Sequence, residues 1–203
     1  MTSDAAQPTR IIALGDSTTA GTPAFKSPLE SPPFGSGDQT SQYAFWLMQA
    51  HPEWVVLNRG INGQRSDEIR TRFERDVIQN APAAVVIIAG VNDIYQGRDV
   101  EHVTGQLQGM YARAAQAGIP VVAGLIIPFN TATAEQNQRM RRVNDWIRRQ
   151  PKVTFADTRA AVAASGNPDV LFESADGLHP TAAGYRRMAD VIDAALQRVL
   201  PRR

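Results

Sequence analysis

Ala84-Val-Val-Ile-Ile-Ala89 is an unbroken apolar run rich in β-branched residues, and it ends on Gly90-Val-Asn-Asp93. A strand with one wet face alternates apolar and polar residues, whereas a strand covered on both faces is apolar throughout. The run therefore predicts an interior strand with layers on both sides. Four other runs share its character: Ile11–Leu14, Trp54–Leu57, Pro120–Ile127 and Val153–Phe155. The segments between them repeat apolar residues at helical spacing. Ile69, Phe73 and Val77 form one stripe; Val100, Val103, Leu107, Met110 and Ala114 a second; Met140, Val143 and Ile147 a third; Tyr185, Met188, Ile192 and Val199 a fourth. Such stripes are core-facing helix sides. Strands alternating with helices predict a three-layer α/β domain around a parallel sheet. No internal repeat or linker interrupts residues 1–203, which read as a single domain.

Composition narrows the function classes. The 203 residues are 43% hydrophobic and 20% charged, enough for a sizeable core. With 21 Lys+Arg against 20 Asp+Glu, the net charge of +1 gives no field that would favour nucleic acid or an anionic membrane. Cysteine is absent, which excludes disulfides, thiolate catalysis and zinc–thiolate sites. The segment Met1–Arg10 is polar and has no apolar signal-peptide core, and no segment reaches the roughly 18 apolar residues of a membrane span. The expected location is the cytoplasm; a mature chain cut from an exported precursor would read the same. Pro201-Arg-Arg203 reads as a frayed end.

One segment breaks the rhythm. Residues 22–40 carry Pro23, Pro28, Pro32 and Pro33 with the apolar Phe25, Leu29 and Phe34. A connection this long without a pattern of its own is usually functional or disordered. We expect a substrate-facing loop or lid rather than a mobile surface insert, with an apolar part and a polar part, Gly35–Ser41. The arginines 139, 141, 142, 148 and 149 read as a solvated helix face.

In a parallel α/β sheet, reactive groups gather at the carboxyl ends of the strands. Ser17 follows the first run in Gly15-Asp16-Ser17. Asn58-Arg-Gly-Ile-Asn-Gly63 follows the second, Gly90-Val-Asn92-Asp93 the third, and Asp176-Gly-Leu-His179-Pro180 precedes the last helix. A serine hydrolase needs a hydroxyl nucleophile, an imidazole base and a carboxylate that orients it. Ser17, His179 and Asp176 supply the three, and one turn can hold the last two. Pro180 suits the first turn of the helix and would fix His179 at its start. The oxyanion needs preorganised donors, for which the candidates are the Ser17 N–H, the Gly63 N–H and the Asn92 side-chain amide. Glycine at 63 would let substrate and backbone approach closely. Asp16 and Asp93 read as hydrogen-bonding supports, His51 and His102 as structural or exposed. Tyr95 and Phe129 follow strand ends and are placed to line a pocket. No metal or cofactor is expected.

These four blocks, in this order over residues 15–180, resemble the SGNH hydrolase superfamily, which includes the GDSL esterases and lipases. Thr18 stands where leucine is frequent in the first block, at a position that is not one of the catalytic groups. The resemblance implies a flavodoxin-like α/β/α sandwich with about five parallel strands. It also implies Ser17 as nucleophile, His179 as base held by Asp176, and Ser17, Gly63 and Asn92 as oxyanion donors. The expected function is metal-independent hydrolysis of short-chain carboxylic esters through an acyl-enzyme, with a small-molecule ester as substrate and no nucleic-acid partner. Carbohydrate O-acetyl groups, thioesters and lysophospholipids are alternative substrates within the superfamily. A non-catalytic ligand-binding α/β domain is the reading from another class; neither a Walker-type Gly-Lys-Ser/Thr nor a Gly-x-Gly-x-x-Gly supports it.

Overall fold

Strand β1 (Thr9–Gly15) is apolar on both of its faces, and a computed structural model shows what covers each. The structure describes residues 7–201, so most of the polar N-terminal segment and Arg202-Arg203 lie outside the described residues. Ile12 and Leu14 enter one core, Ile11 and Ala13 the other. This follows from the two-residue period of a strand. Strands β2 (Trp54–Gly60), β3 (Ala84–Ile88), β4 (Val121–Gly124) and β5 (Val153–Ala156) complete a five-stranded sheet in the order β2-β1-β3-β4-β5. All neighbouring pairs are parallel. The architecture is a flavodoxin-like α/β/α sandwich.

One face is covered by α3 (Ser66–Thr71), α4 (Phe73–Asp76), α6 (Val100–Gln116) and α7 (Ala134–Arg148), the other by α2 (Tyr43–Ala50), α8 (Thr158–Val162) and α9 (Ala182–Val199). The short helices α1 (Ser17–Ala20) and α5 (Val91–Tyr95) follow β1 and β3 directly. The chain leaves β1 towards one edge and β3 towards the other. The carboxyl ends of these two neighbours are therefore the switch point where a crevice forms in such sheets.

Three local expectations are corrected. The apolar run 120–127 is not all strand: regular pairing ends at Gly124. Beyond it the buried Asn144 replaces a neighbouring strand, accepting the Ile126 N–H at 2.7 Å and donating to the Ile126 carbonyl at 3.0 Å. Leaving a buried backbone group unpaired costs about 1–3 kcal/mol, so one side-chain amide lets the strand stop inside the core. The stripe Ile69, Phe73 and Val77 is buried as expected, but its backbone breaks at Arg72 into α3 and α4. Pro180 is not in the first turn of the last helix; Thr181 caps that helix, and Pro180 lies before the cap, buried.

The segment 22–40 carries an antiparallel two-residue ribbon, Phe25–Lys26 against Ser36–Gly37. Phe25 turns into the protein, while Phe34 at the far end is 84% exposed. The arginine-rich face of α7 is solvated and laced with ion pairs: Arg139 with Glu135, Arg141 with Asp169, Arg142 with Glu101, and Arg148 with Asp145 and Asp157.

Candidate active site

At the end of β1 the chain turns at once into α1, with Asp16 as its cap accepting the Thr18 N–H at 2.9 Å. The turn is tight enough that a Cβ on Gly15 would sit 2.2 Å from Thr19 Oγ1 and 2.4 Å from the Ile88 carbonyl oxygen. Only glycine permits this approach. Ser17 is thereby held at the helix start, 5% exposed, at the crevice between β1 and β3.

The Asp176–His179 turn meets it from the other end of the chain. His179 Nε2 lies 2.9 Å from Ser17 Oγ, and His179 Nδ1 lies 2.7 Å from Asp176 Oδ2. Asp176 Oδ1 accepts the backbone N–H groups of Leu178 at 2.8 Å and His179 at 2.9 Å. Burial alone would raise the Asp176 carboxyl. The His179 ring and these two amides outweigh it and hold the carboxyl down at about 2. Ser174 closes the turn, donating its hydroxyl to the His179 carbonyl at 2.7 Å. Asn130, beyond β4, braces the same segment: its N–H donates to the Gly177 carbonyl at 2.7 Å, and its side-chain oxygen accepts the Leu171 N–H at 2.8 Å.

Asn92 lines the same crevice, and Gly63 lies between Asn62, which also lines it, and Gln64. The Asn92 amide donates to the Gln64 carbonyl at 2.9 Å, which joins the third block to the second. A Cβ at Gly63 would meet nothing within 4 Å, so close approach of protein atoms is not the reason for glycine. Its φ of 77° is the reason, a left-handed conformation that other residues rarely adopt. Ser17, Thr18, Asn62, Val91, Asn92, Tyr95, Phe129, Leu178 and His179 line a cleft of about 160 Å³. Tyr95 and Phe129 meet edge to face across 5.7 Å on its wall.

A family model described as GDSL-like Lipase/Acylhydrolase matches residues 13–187, a span that contains all of these groups. The chain belongs to this family. Membership makes it an esterase-type hydrolase. An acetylxylan esterase of Geobacillus stearothermophilus is 29% identical over 167 residues, covering 72% of this chain and 75% of that enzyme. Solved structures share the fold. A GDSL-like lipase from Bacteroides thetaiotaomicron superposes with a TM-score of 0.74 at 23% identity, covering 96% of this chain and 93% of that one. Axe2, an acetylxylan esterase from Geobacillus stearothermophilus, gives 0.69 at 23% identity, covering 93% and 94%.

In this GDSL-family chain the 22–40 loop contributes nothing to the lining of the cleft, contrary to expectation. It braces the 60–62 segment instead, of which Asn62 lines the cleft. Glu30 accepts the Asn62 N–H at 2.9 Å, and the Ser27 hydroxyl donates to the Gly60 carbonyl at 2.6 Å. Asp16 is completely buried, and its Oδ2 has no hydrogen-bond partner among the described residues. Burial pushes its carboxyl up to about 7 against the pull of the Thr18 hydrogen bonds. Asp93 is also buried and accepts both the N–H and the hydroxyl of Ser66, at 2.8 and 2.7 Å. His51 stacks on Trp54 and contacts Asp193 at 2.9 Å, far from the crevice. His102 Nε2 lies 3.6 Å from Asp93. Among the described residues, Asp67, Asp93 and His102 bring metal-ligating atoms within 4.8 Å of one another. Arg65 already engages Asp67, and Ser66 engages Asp93.

The supports Ser174, Asn130, Gln64 and Glu30 escape sequence reading, because each acts through a partner chosen by the fold. Only Ser174 had a local signal, standing two residues before Asp176.

Proposed function

We propose that the protein is a serine esterase that hydrolyses short-chain carboxylic esters through an acyl-enzyme intermediate. One observation carries the reading: a continuous hydrogen-bonded chain from Asp176 through His179 to Ser17 ends at a small cleft. Ser17 Oγ attacks the ester carbonyl carbon as His179 Nε2 takes its proton. Asp176 keeps the other ring nitrogen protonated and stabilises the imidazolium. The carbonyl oxygen becomes an oxyanion facing the Ser17 N–H, the Gly63 N–H and the Asn92 amide. One N–H of that amide is engaged by the Gln64 carbonyl, which orients the group and leaves its second N–H for the oxyanion. The bond to the leaving oxygen breaks as His179 returns the proton to the alcohol. Water, activated by the same imidazole, then releases the acid and Ser17.

The cleft of about 160 Å³ supports a short acyl group. The deciding experiment is hydrolysis of p-nitrophenyl esters from acetate to palmitate, with Ser17→Ala alongside. Turnover of the short esters that vanishes in Ser17→Ala is expected. Turnover that survives the substitution overturns the reading. A passive binding protein would also fail to label at Ser17 with an organophosphonate.

A second reading places the acetyl group on a carbohydrate. It is supported by the 29% identity to an acetylxylan esterase and by the small cleft, whose rim carries Tyr95, 57% exposed. Acetate release from acetylated xylan, compared with p-nitrophenyl acetate, separates the two.

A further inference from the structure

Arg72 carries a positive charge into the core, 7% exposed, at the break between α3 and α4. Burial lowers its pKa, so the position has an electrostatic cost that its partners must offset. Those partners are specific. Nη2 donates to the Gly15 carbonyl at 2.8 Å, two residues before Ser17. Nη1 donates to the Arg59 carbonyl at the end of β2 at 2.8 Å, and to Asp76 at 2.8 Å. Nε donates to the Gln64 side chain at 2.7 Å. Gln64 follows Gly63 and takes the Asn92 amide on its own carbonyl. One rigid planar group therefore touches the Ser17 segment directly, grips the Gly63 turn on both sides, and reaches Asn92 through Gln64. A buried ion pair alone would not need this arrangement, since Arg75 also binds Asp76, at 2.7 and 3.0 Å.

We propose that Arg72 is a positioning residue of the esterase, setting the spacing of the three oxyanion donors, Ser17 N–H, Gly63 N–H and the Asn92 amide. This rests on the esterase reading above. The planar fork holds four acceptors at fixed angles, which the single ammonium of lysine cannot do. Donors displaced by a fraction of an ångström still admit the substrate but no longer fit the transition state.

The test compares Arg72→Lys, Arg72→Met and Asp76→Asn in the full chain. Active sites are first counted with an organophosphonate, so that misfolded molecules do not enter the rate. For p-nitrophenyl acetate, both Arg72 variants are expected to lose about 10- to 100-fold in kcat per titrated site, with KM within about twofold. Their pH–rate profile keeps its shape, because Arg72 does not touch His179 or Asp176. Asp76→Asn breaks the same buried pair and is expected to lower the melting temperature, yet to keep its per-site kcat within about threefold. Wild-type per-site kcat in the Arg72 variants overturns the proposal, as does an equal loss in Asp76→Asn. If neither Arg72 variant folds, Gln64→Leu removes the Nε contact from its other end. A several-fold fall in per-site kcat supports the proposal and an unchanged value overturns it. Wild-type turnover that survives Ser17→Ala would instead overturn the esterase reading, and this proposal with it.

Discussion

Asp176 holds His179 at two points: its Oδ2 is 2.7 Å from the ring Nδ1, and its Oδ1 accepts the same residue's backbone N–H at 2.9 Å. A single carboxylate thus fixes both the position of the residue and the tautomer of its ring. Asp176→Asn keeps an oxygen for the backbone bonds but presents N–H hydrogens that compete with those of the ring. The expected result is a fall in kcat of about 10⁴-fold with little change in melting temperature. Steady-state kinetics with a thermal melt checks both.

The pH profile assigns the base. Hydrogen bonds hold the Asp176 carboxyl near 2, so it stays ionised throughout any practical assay range. A loss of kcat/KM towards acid is therefore not protonation of Asp176, whereas the Asp16 carboxyl, pushed up to about 7, does titrate within that range. An acid limb between pH 4 and 9 that persists in Asp16→Asn is the expected sign of a histidine base. A flat profile across that range would remove His179 from the mechanism.

Asp16 has the opposite linkage. Its pKa rises from the ordinary 3.8 to about 7 on folding. Between those values the folded protein keeps a proton that the unfolded chain has released. Stability therefore falls as pH rises through this window and levels off above it. Asp16→Asn is expected to flatten the dependence and to melt higher than wild type at pH 8. Melts from pH 4 to 8 for both proteins test this, independently of activity.

Phe129 closes part of the cleft wall and is almost fully buried. Phe129→Leu is expected to enlarge the acyl space and to raise the butyrate-to-acetate ratio of kcat/KM by about 10-fold. The p-nitrophenyl ester series measures it, and an unchanged ratio would place the acyl group elsewhere.

Much of the fold is legible because burial on two faces leaves a plain mark: all five strands appear as apolar runs. The ends are less legible. Residues 120–127 are apolar beyond the point where pairing stops, because Asn144 meets the backbone's needs from a distant helix. The break at Arg72 carries no local sign, since arginine is a good helix former and the acceptors it reaches there lie 4 to 57 residues away. Ser17, Gly63, Asn92, Asp176 and His179 are legible as motifs; the fold brings Ser17, Asn92 and His179 to one cleft, with Asp176 bonded to His179 and Gly63 one residue from Asn92's partner Gln64. The role of the 22–40 loop is not legible, because proline and apolar residues look alike in a lid and in a brace. Only the contacts of Glu30 and Ser27 tell them apart.

Ser17 and His179 are 162 positions apart in the chain, yet they share a hydrogen bond. A chain cut anywhere between the two, with the pieces allowed to part, leaves the Ser17 hydroxyl without its imidazole neighbour. One nick in any exposed loop of that span is thus enough to separate the pair, however well each piece keeps its own helices and strands.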